Sequence, residues 1–140
     1  MQVYKKDVAD IVMAISNKYD FYTQDILVYL NCWMGNGIIV NNKDEPVRTQ
    51  VKIIKIEDII RGFFITDSYD KKILLKYIFI IPEYRREGIF TAIIDDLKGQ
   101  CEEISIDTCE KPMIHACNKL DFKFLKTCDT GKELCFVWKK

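Results

Sequence analysis

The chain has 140 residues, 49% hydrophobic and 30% charged, with 21 basic against 21 acidic side chains and a formal net charge of zero. That length suits one domain spanning residues 1–140 around a single core, and that balance gives no broad attraction to nucleic acid or to an anionic membrane. No apolar run reaches the roughly 20 residues of a membrane-spanning helix. Residues 1–10 alternate polar and apolar side chains and carry two aspartates, Asp7 and Asp10, unlike a secretory signal, so a cytoplasmic domain is expected. The six cysteines, Cys32, Cys101, Cys109, Cys117, Cys128 and Cys135, form no C-x-x-C pair, and His115 is the single histidine. No metal site is expected, and free thiols in a reducing compartment are the plain reading.

In chain order, residues 2–5 suit a short strand. Asp7 is a good N-cap for a helix with Val8, Ile11, Val12 and Ile15 on one face, ending near residues 17–19. Thr23 suits the cap of a second helix, whose apolar face is Ile26, Leu27, Leu30 and Trp33 and which Gly35 and Gly37 stop. Residues 38–40 read as a short strand and residues 41–46 as a polar turn. A β-rich run starts at Val51, turns at Glu57-Asp58, returns over residues 59–66, turns again over residues 67–70 and continues over residues 73–81 as an antiparallel meander.

The most informative stretch is Y-I-F-I-I-P-E-Y-R-R-E-G-I-F-T-A-I-I-D-D-L, residues 77–97. Its first five residues are nearly all apolar, as in a strand covered on both faces, and Pro82 ends it because proline cannot donate to a ladder. Phe90, Ile93, Ile94 and Leu97 then recur at helical spacing, and Gly99 stands where a helix stops. Between strand and helix lies Arg85-Arg86-Glu87-Gly88. A helix N-terminus offers unpaired N–H donors and partial positive charge, so this turn suits a phosphate. Downstream, Ile104 and Ile106 alternate with polar residues as a strand. Pro112 fits the first turn of a last helix with Met113, Ala116, Cys117 and Leu120 on its apolar face. Residues 122–125 and 134–138 read as closing strands around a turn at residues 129–131. The order predicts an α+β chain: a mixed, mostly antiparallel sheet flanked by helices.

P-E-Y-R-R-E-G-I-F and the strand before it resemble the pyrophosphate motif of the GNAT superfamily of acyl-CoA-dependent N-acyltransferases, Arg/Gln-x-x-Gly-x-Gly/Ala. Arg85 and Gly88 match; Phe90 stands where that family has a small residue. Ile59-Ile60-Arg61-Gly62-Phe63-Phe64-Ile65 resembles the family's third strand, which often carries a glycine after a short turn. His115-Ala116-Cys117-Asn118-Lys119-Leu120-Asp121-Phe122 resembles its closing Tyr-x-Lys-x-Gly-Phe pattern, with Lys119 and Phe122 matching, Cys117 in place of the tyrosine and Asp121 in place of the glycine.

The resemblance implies a GNAT-like fold and an N-acetyltransferase using acetyl-CoA as co-substrate, with an unidentified amine acceptor and no metal. A homodimer is left open. A catalytically degenerate domain that binds CoA or a protein is the alternative. The pyrophosphate is expected on the backbone of Arg85, Arg86, Glu87, Gly88, Ile89, Phe90 and Thr91, and the pantetheine arm on that of Ile78, Phe79 and Ile80. Cys117 takes the place of the family's acid, although the plainer reading is a small apolar residue on the helix's buried face. Glu83, Asp67, Asp107 and His115 are candidate bases by neighbourhood alone. The first two helices and residues 38–50 are expected to shape the acceptor pocket.

Overall fold

The computed structural model describes residues 4–35, 39–41, 43–128 and 131–140. The expected strand over residues 2–5 falls partly outside this range, and Lys5 already opens helix α1 (Lys5–Tyr19). Tyr4, not Asp7, is its N-cap, and Asp7 lies in the first turn, where a carboxylate meets the positive end of the helix dipole. Helix α2 (Thr23–Met34) begins after Tyr22, which is left-handed at φ 46°. Thr23 is not its cap; the Thr23 hydroxyl donates to the Ser16 carbonyl at 3.2 Å and ties the two helices together. Gly35 closes α2; Gly37 and Ile38 lie outside the described residues.

Seven strands follow among the described residues: β1 (Ile39–Val40), β2 (Pro46–Ile56), β3 (Ile59–Tyr69), β4 (Lys72–Ile80), β5 (Glu103–Thr108), β6 (Lys123–Thr127) and β7 (Leu134–Lys139). Helix α3 (Ile89–Lys98) joins β4 to β5, and α4 (Lys111–Lys119) joins β5 to β6. The sheet order is β1-β2-β3-β4-β5-β7-β6, and only β4 and β5 run parallel. The fold is therefore α+β with a mixed, mostly antiparallel sheet, as the pattern of elements predicts.

Two hairpins of the meander turn on paired left-handed residues, Glu57-Asp58 and Asp70-Lys71. Such turns match the right-handed twist of flanking strands. The second lies later than the expected turn at residues 67–70, because Asp67, Ser68 and Tyr69 remain in β3, paired with Leu74, Ile73 and Lys72.

The sheet separates two cores. Ala9, Val12, Ile15, Ile26 and Leu30 of α1 and α2 pack on Val51, Phe63, Ile65 and Phe79. Ile94 and Leu97 of α3 and Cys117 of α4 pack on Ile73, Leu75, Ile104, Ile106 and Phe136. Alternation along β3 puts Phe63 and Ile65 on the first face and Phe64 on the second. Along β4 the alternation breaks: Ile73 and Leu75 face α3 and α4, whereas Tyr77 and Phe79, of the same parity, face α1 and α2. The register supplies the reason. Ile65 pairs with Tyr77 and Thr66 with Leu75, so Lys76 is an extra residue, a β-bulge that exchanges the faces. A second bulge leaves Arg61 of β3 unpaired between Ile54–Gly62 and Lys55–Ile60.

Candidate active site

The bulge at Lys76 coincides with the point where the sheet splits. Parallel pairing of β4 with β5 covers Lys72 to Leu75 against Glu103 to Ile106 and ends there. From Tyr77 to Ile80, β4 pairs with β3 on one side only. A strand edge without a partner presents N–H and C=O groups ready to pair with an extended ligand. Beyond β4, a 3-10 turn (Pro82–Tyr84) and the segment 85–88 lead into α3. Arg86 (φ 72°) and Gly88 (φ 78°) are both left-handed, and Gly88 is the N-cap of α3. This winding sets the first N–H groups of α3 beside the free edge, and the first turn of a helix has no internal partners for them. A side chain at Gly88 would meet no atom within 4 Å, so its glycine answers to backbone conformation and not to crowding.

These elements enclose a cavity of about 710 Å³. Eight of the ten expected cofactor residues line it: Ile78, Phe79, Ile80, Arg85, Arg86, Ile89, Phe90 and Thr91. Glu87 and Gly88 do not. Across the opening stand Met113, His115, Ala116, Lys119 and Leu120 of α4 and its C-cap. Arg85 is anchored inward: its Nε donates to the Ile80 carbonyl at 2.8 Å, and its guanidinium lies 5.2 Å from the Phe79 ring centre. Phe90 packs against the core under α3 and α4 while its ring forms part of the cavity wall. The bulky residue in the motif is thus accommodated without filling the loop.

Cys117 lies apart from these residues. It is 0% exposed, packed in the core under α3 and α4, and lines neither this cavity nor the one described next. Burial pushes its thiol up to about 11, away from a reactive thiolate. Helical periodicity turns this position inward, away from both cavities.

A second, smaller cavity of about 190 Å³ opens on the other side of the split. Phe21, Ile78, Glu110 and Met113 line both, so the two adjoin across the separated strands. This cavity carries Asp25 of α2, Asp107 at the end of β5, Glu110 and Glu133, with Lys76, Tyr22 and Tyr77. Glu133 is raised above the ordinary carboxylate value, first by desolvation and then by Asp107 and Glu110, with Lys76 opposing. Desolvation pushes Tyr77 up to about 12, so its hydroxyl is protonated at neutral pH and available as a donor. Of the candidate bases, Asp107 lines this cavity, His115 lines the first, and Glu83 lines neither. The four carboxylates are scattered along the chain from Asp25 to Glu133, and no local motif announces the grouping. The one sequence signal is Asp107, the outward residue ending an alternating strand.

Asp67 is 7% exposed and sits under α2, where it accepts hydrogen bonds from Tyr29 and from Thr49 (2.7 Å). Both donors are neutral, and desolvation, with the bond to Asp67, raises the Tyr29 hydroxyl. The trio links α2 to β2 and β3 and lines neither cavity, so Asp67 is a structural carboxylate.

No model of a known protein family matches the sequence, and no curated protein does. Solved structures do match. An acetyltransferase from Thermus thermophilus superposes with a TM-score of 0.71 at 11% identity, over 99% of this chain and 94% of that one. A GNAT-family protein from Desulfovibrio desulfuricans gives 0.68 at 12% identity, over 99% and 95%. The PaiA N-acetyltransferase of Thermoplasma acidophilum, solved with coenzyme A, gives 0.63 at 11% identity, over 100% and 97%. The split between β4 and β5, with a helix N-terminus beside the free edge, is set in a strongly diverged sequence that has the GNAT acetyltransferase fold.

Proposed function

We propose that this chain is an N-acetyltransferase that moves the acetyl group of acetyl-CoA to an amine. One observation carries the reading: the free edge of β4 and the N-terminus of α3 line a single cavity that adjoins a second, acidic one. In this reading the N–H groups of Ile89, Phe90 and Thr91 hold the pyrophosphate, and Arg85 and Arg86 add charge. The backbone of Ile78, Phe79 and Ile80 pairs with the pantetheine amides. The thioester then lies at the split, where the two cavities adjoin.

The acceptor enters from the acidic side. An amine arrives mostly as ammonium, which Asp25, Asp107, Glu110 and Glu133 attract and desolvated carboxylates are suited to deprotonate. Glu133 takes one proton, and the free amine attacks the thioester carbonyl. The tetrahedral intermediate collapses to the amide, and the second proton lost by nitrogen neutralises the departing thiolate. Tyr22 and Tyr77 supply hydroxyl donors on the same side.

Titration calorimetry with acetyl-CoA tests the first half: no heat at high micromolar ligand ends the reading. Thiol release across a panel of amines tests the second. The buried Cys117 favours one alternative, a CoA-binding module that acts through a protein partner. Binding without thiol release from any amine would select it.

A further inference from the structure

We propose that Arg61 is a positioning residue that locks segment 82–88, which carries Arg85 and Arg86 into the pyrophosphate-binding start of α3, into its binding shape before acetyl-CoA arrives. The inference rests on the function proposed above and concerns a residue outside the cavity. Arg61 is the bulged residue of β3, opposite no residue of β2. Bulges turn a side chain away from its regular direction. Here the backbone of Arg61 receives the end of β4, its carbonyl accepting from the Ile81 N–H at 2.8 Å. The neighbouring Gly62 makes that approach possible: a Cβ there would lie 1.9 Å from the Phe79 carbonyl oxygen.

The side chain then reaches both parts of the segment. Its guanidinium lies 4.3 Å from the centre of the Tyr84 ring, and Tyr84 lines the acetyl-CoA cavity. Its Nη1 donates to Glu87 Oε2 at 3.2 Å. The backbone of Glu87 is the part expected at the cofactor; its side chain lines neither cavity described above and pairs with Arg61 instead. The arginine side chain is only 11% exposed, whereas Glu87 is 50% exposed, so the pair is anchored from below. Nε of Arg61 is buried with no hydrogen-bond partner. Burying a donor without a partner costs stability, so the contacts to Tyr84 and Glu87 hold the head group in place against that cost. Only a planar, delocalised cation can stack on a ring and pair with a carboxylate at once, so arginine suits the position better than lysine. A segment fixed before binding loses less conformational entropy on capturing the pyrophosphate.

The test uses the full chain and its Arg61→Ala, Arg61→Lys, Glu87→Gln and double Arg61→Ala/Glu87→Gln variants. Acetyl-CoA affinity is read by calorimetry, KM for each substrate and kcat by thiol release, and amide exchange over residues 83–88 without ligand. Arg61→Ala is expected to weaken acetyl-CoA binding about tenfold, with acceptor KM and kcat unchanged, and to speed exchange of those amides. Arg61→Lys should restore part of both effects. The double variant should be no worse than Arg61→Ala, because the two residues act as one unit. If Arg61→Ala fails to fold, Glu87→Gln alone removes the ion pair from the exposed side and carries the same expectation at smaller size. Wild-type affinity and exchange in both Arg61→Ala and Glu87→Gln would overturn the proposal, as would a fall in melting temperature alone. If the wild-type chain binds no acetyl-CoA, the function fails, and unchanged exchange in Arg61→Ala would still decide against the lock.

Discussion

The two cavities that adjoin beside Ile78 differ in charge and in what builds them. The larger one has Arg85, Arg86 and Lys119 on its walls against the shared Glu110, with the positive end of α3 beneath it. The smaller one has Asp25, Asp107, Glu110 and Glu133, with Lys76 as its cation. Net charge over the chain is zero, yet the local sign reverses across one strand. An anionic acyl donor and a cationic acceptor would each be drawn to its own side, and would meet only where β4 and β5 part. The positive side is made by one continuous segment and a helix end. The negative side is assembled from three separate parts of the chain: Asp25 of α2, Asp107 and Glu110 around the β5–α4 connection, and Glu133 before β7.

The largest effect falls where β3 meets the free-edged end of β4. Gly62→Ala drives a Cβ into the Phe79 carbonyl and should cost about 3 kcal/mol; thermal denaturation checks it. The next effect is confined to the acidic side. Glu133→Gln should lower kcat about a hundredfold while acetyl-CoA affinity stays at the wild-type value, read by thiol release and calorimetry. Glu133 is raised above the ordinary carboxylate value. Wild-type rates should therefore climb with pH above that value as it loses its proton, and the Gln variant should lack that limb. Gly88→Val acts on the positive side alone. Valine is poorly tolerated at φ 78°, and acetyl-CoA affinity should fall about tenfold or more in a chain that still melts cooperatively. The smallest effect sharpens the assignment of Cys117. Cys117→Ala should cost about 1 kcal/mol of stability, as the loss of a small buried group, and leave kcat unchanged. A large fall in kcat would return the residue to the reaction.

The positive side was largely legible in the sequence. A strand, a proline, two arginines, a glycine and a helix lie within residues 77–97, so local preferences and the tertiary structure agree there. Eight of ten residues named from that segment share the cavity. The negative side was not legible. Asp107 was named only by neighbourhood, and Asp25, Glu110 and Glu133 carry no local signature. Cys117 shows the converse: the position that a motif match singles out is also the one that helical periodicity turns into the core. Asp67 was read as a turn residue because aspartate favours turns, but β3 runs on past it and buries it under Tyr29 and Thr49.

By itself the sequence determined the type of most elements, the sheet's mixed character and the turn between β4 and α3, because hydrophobic period, proline and glycine act over a few residues. The tertiary structure decided the two bulges, at Arg61 and Lys76. Each depends on how a strand pairs with a distant neighbour, not on its own composition. The first aims an arginine at Tyr84 and Glu87. The second exchanges the faces of β4 at the point where it leaves β5 and its free edge begins.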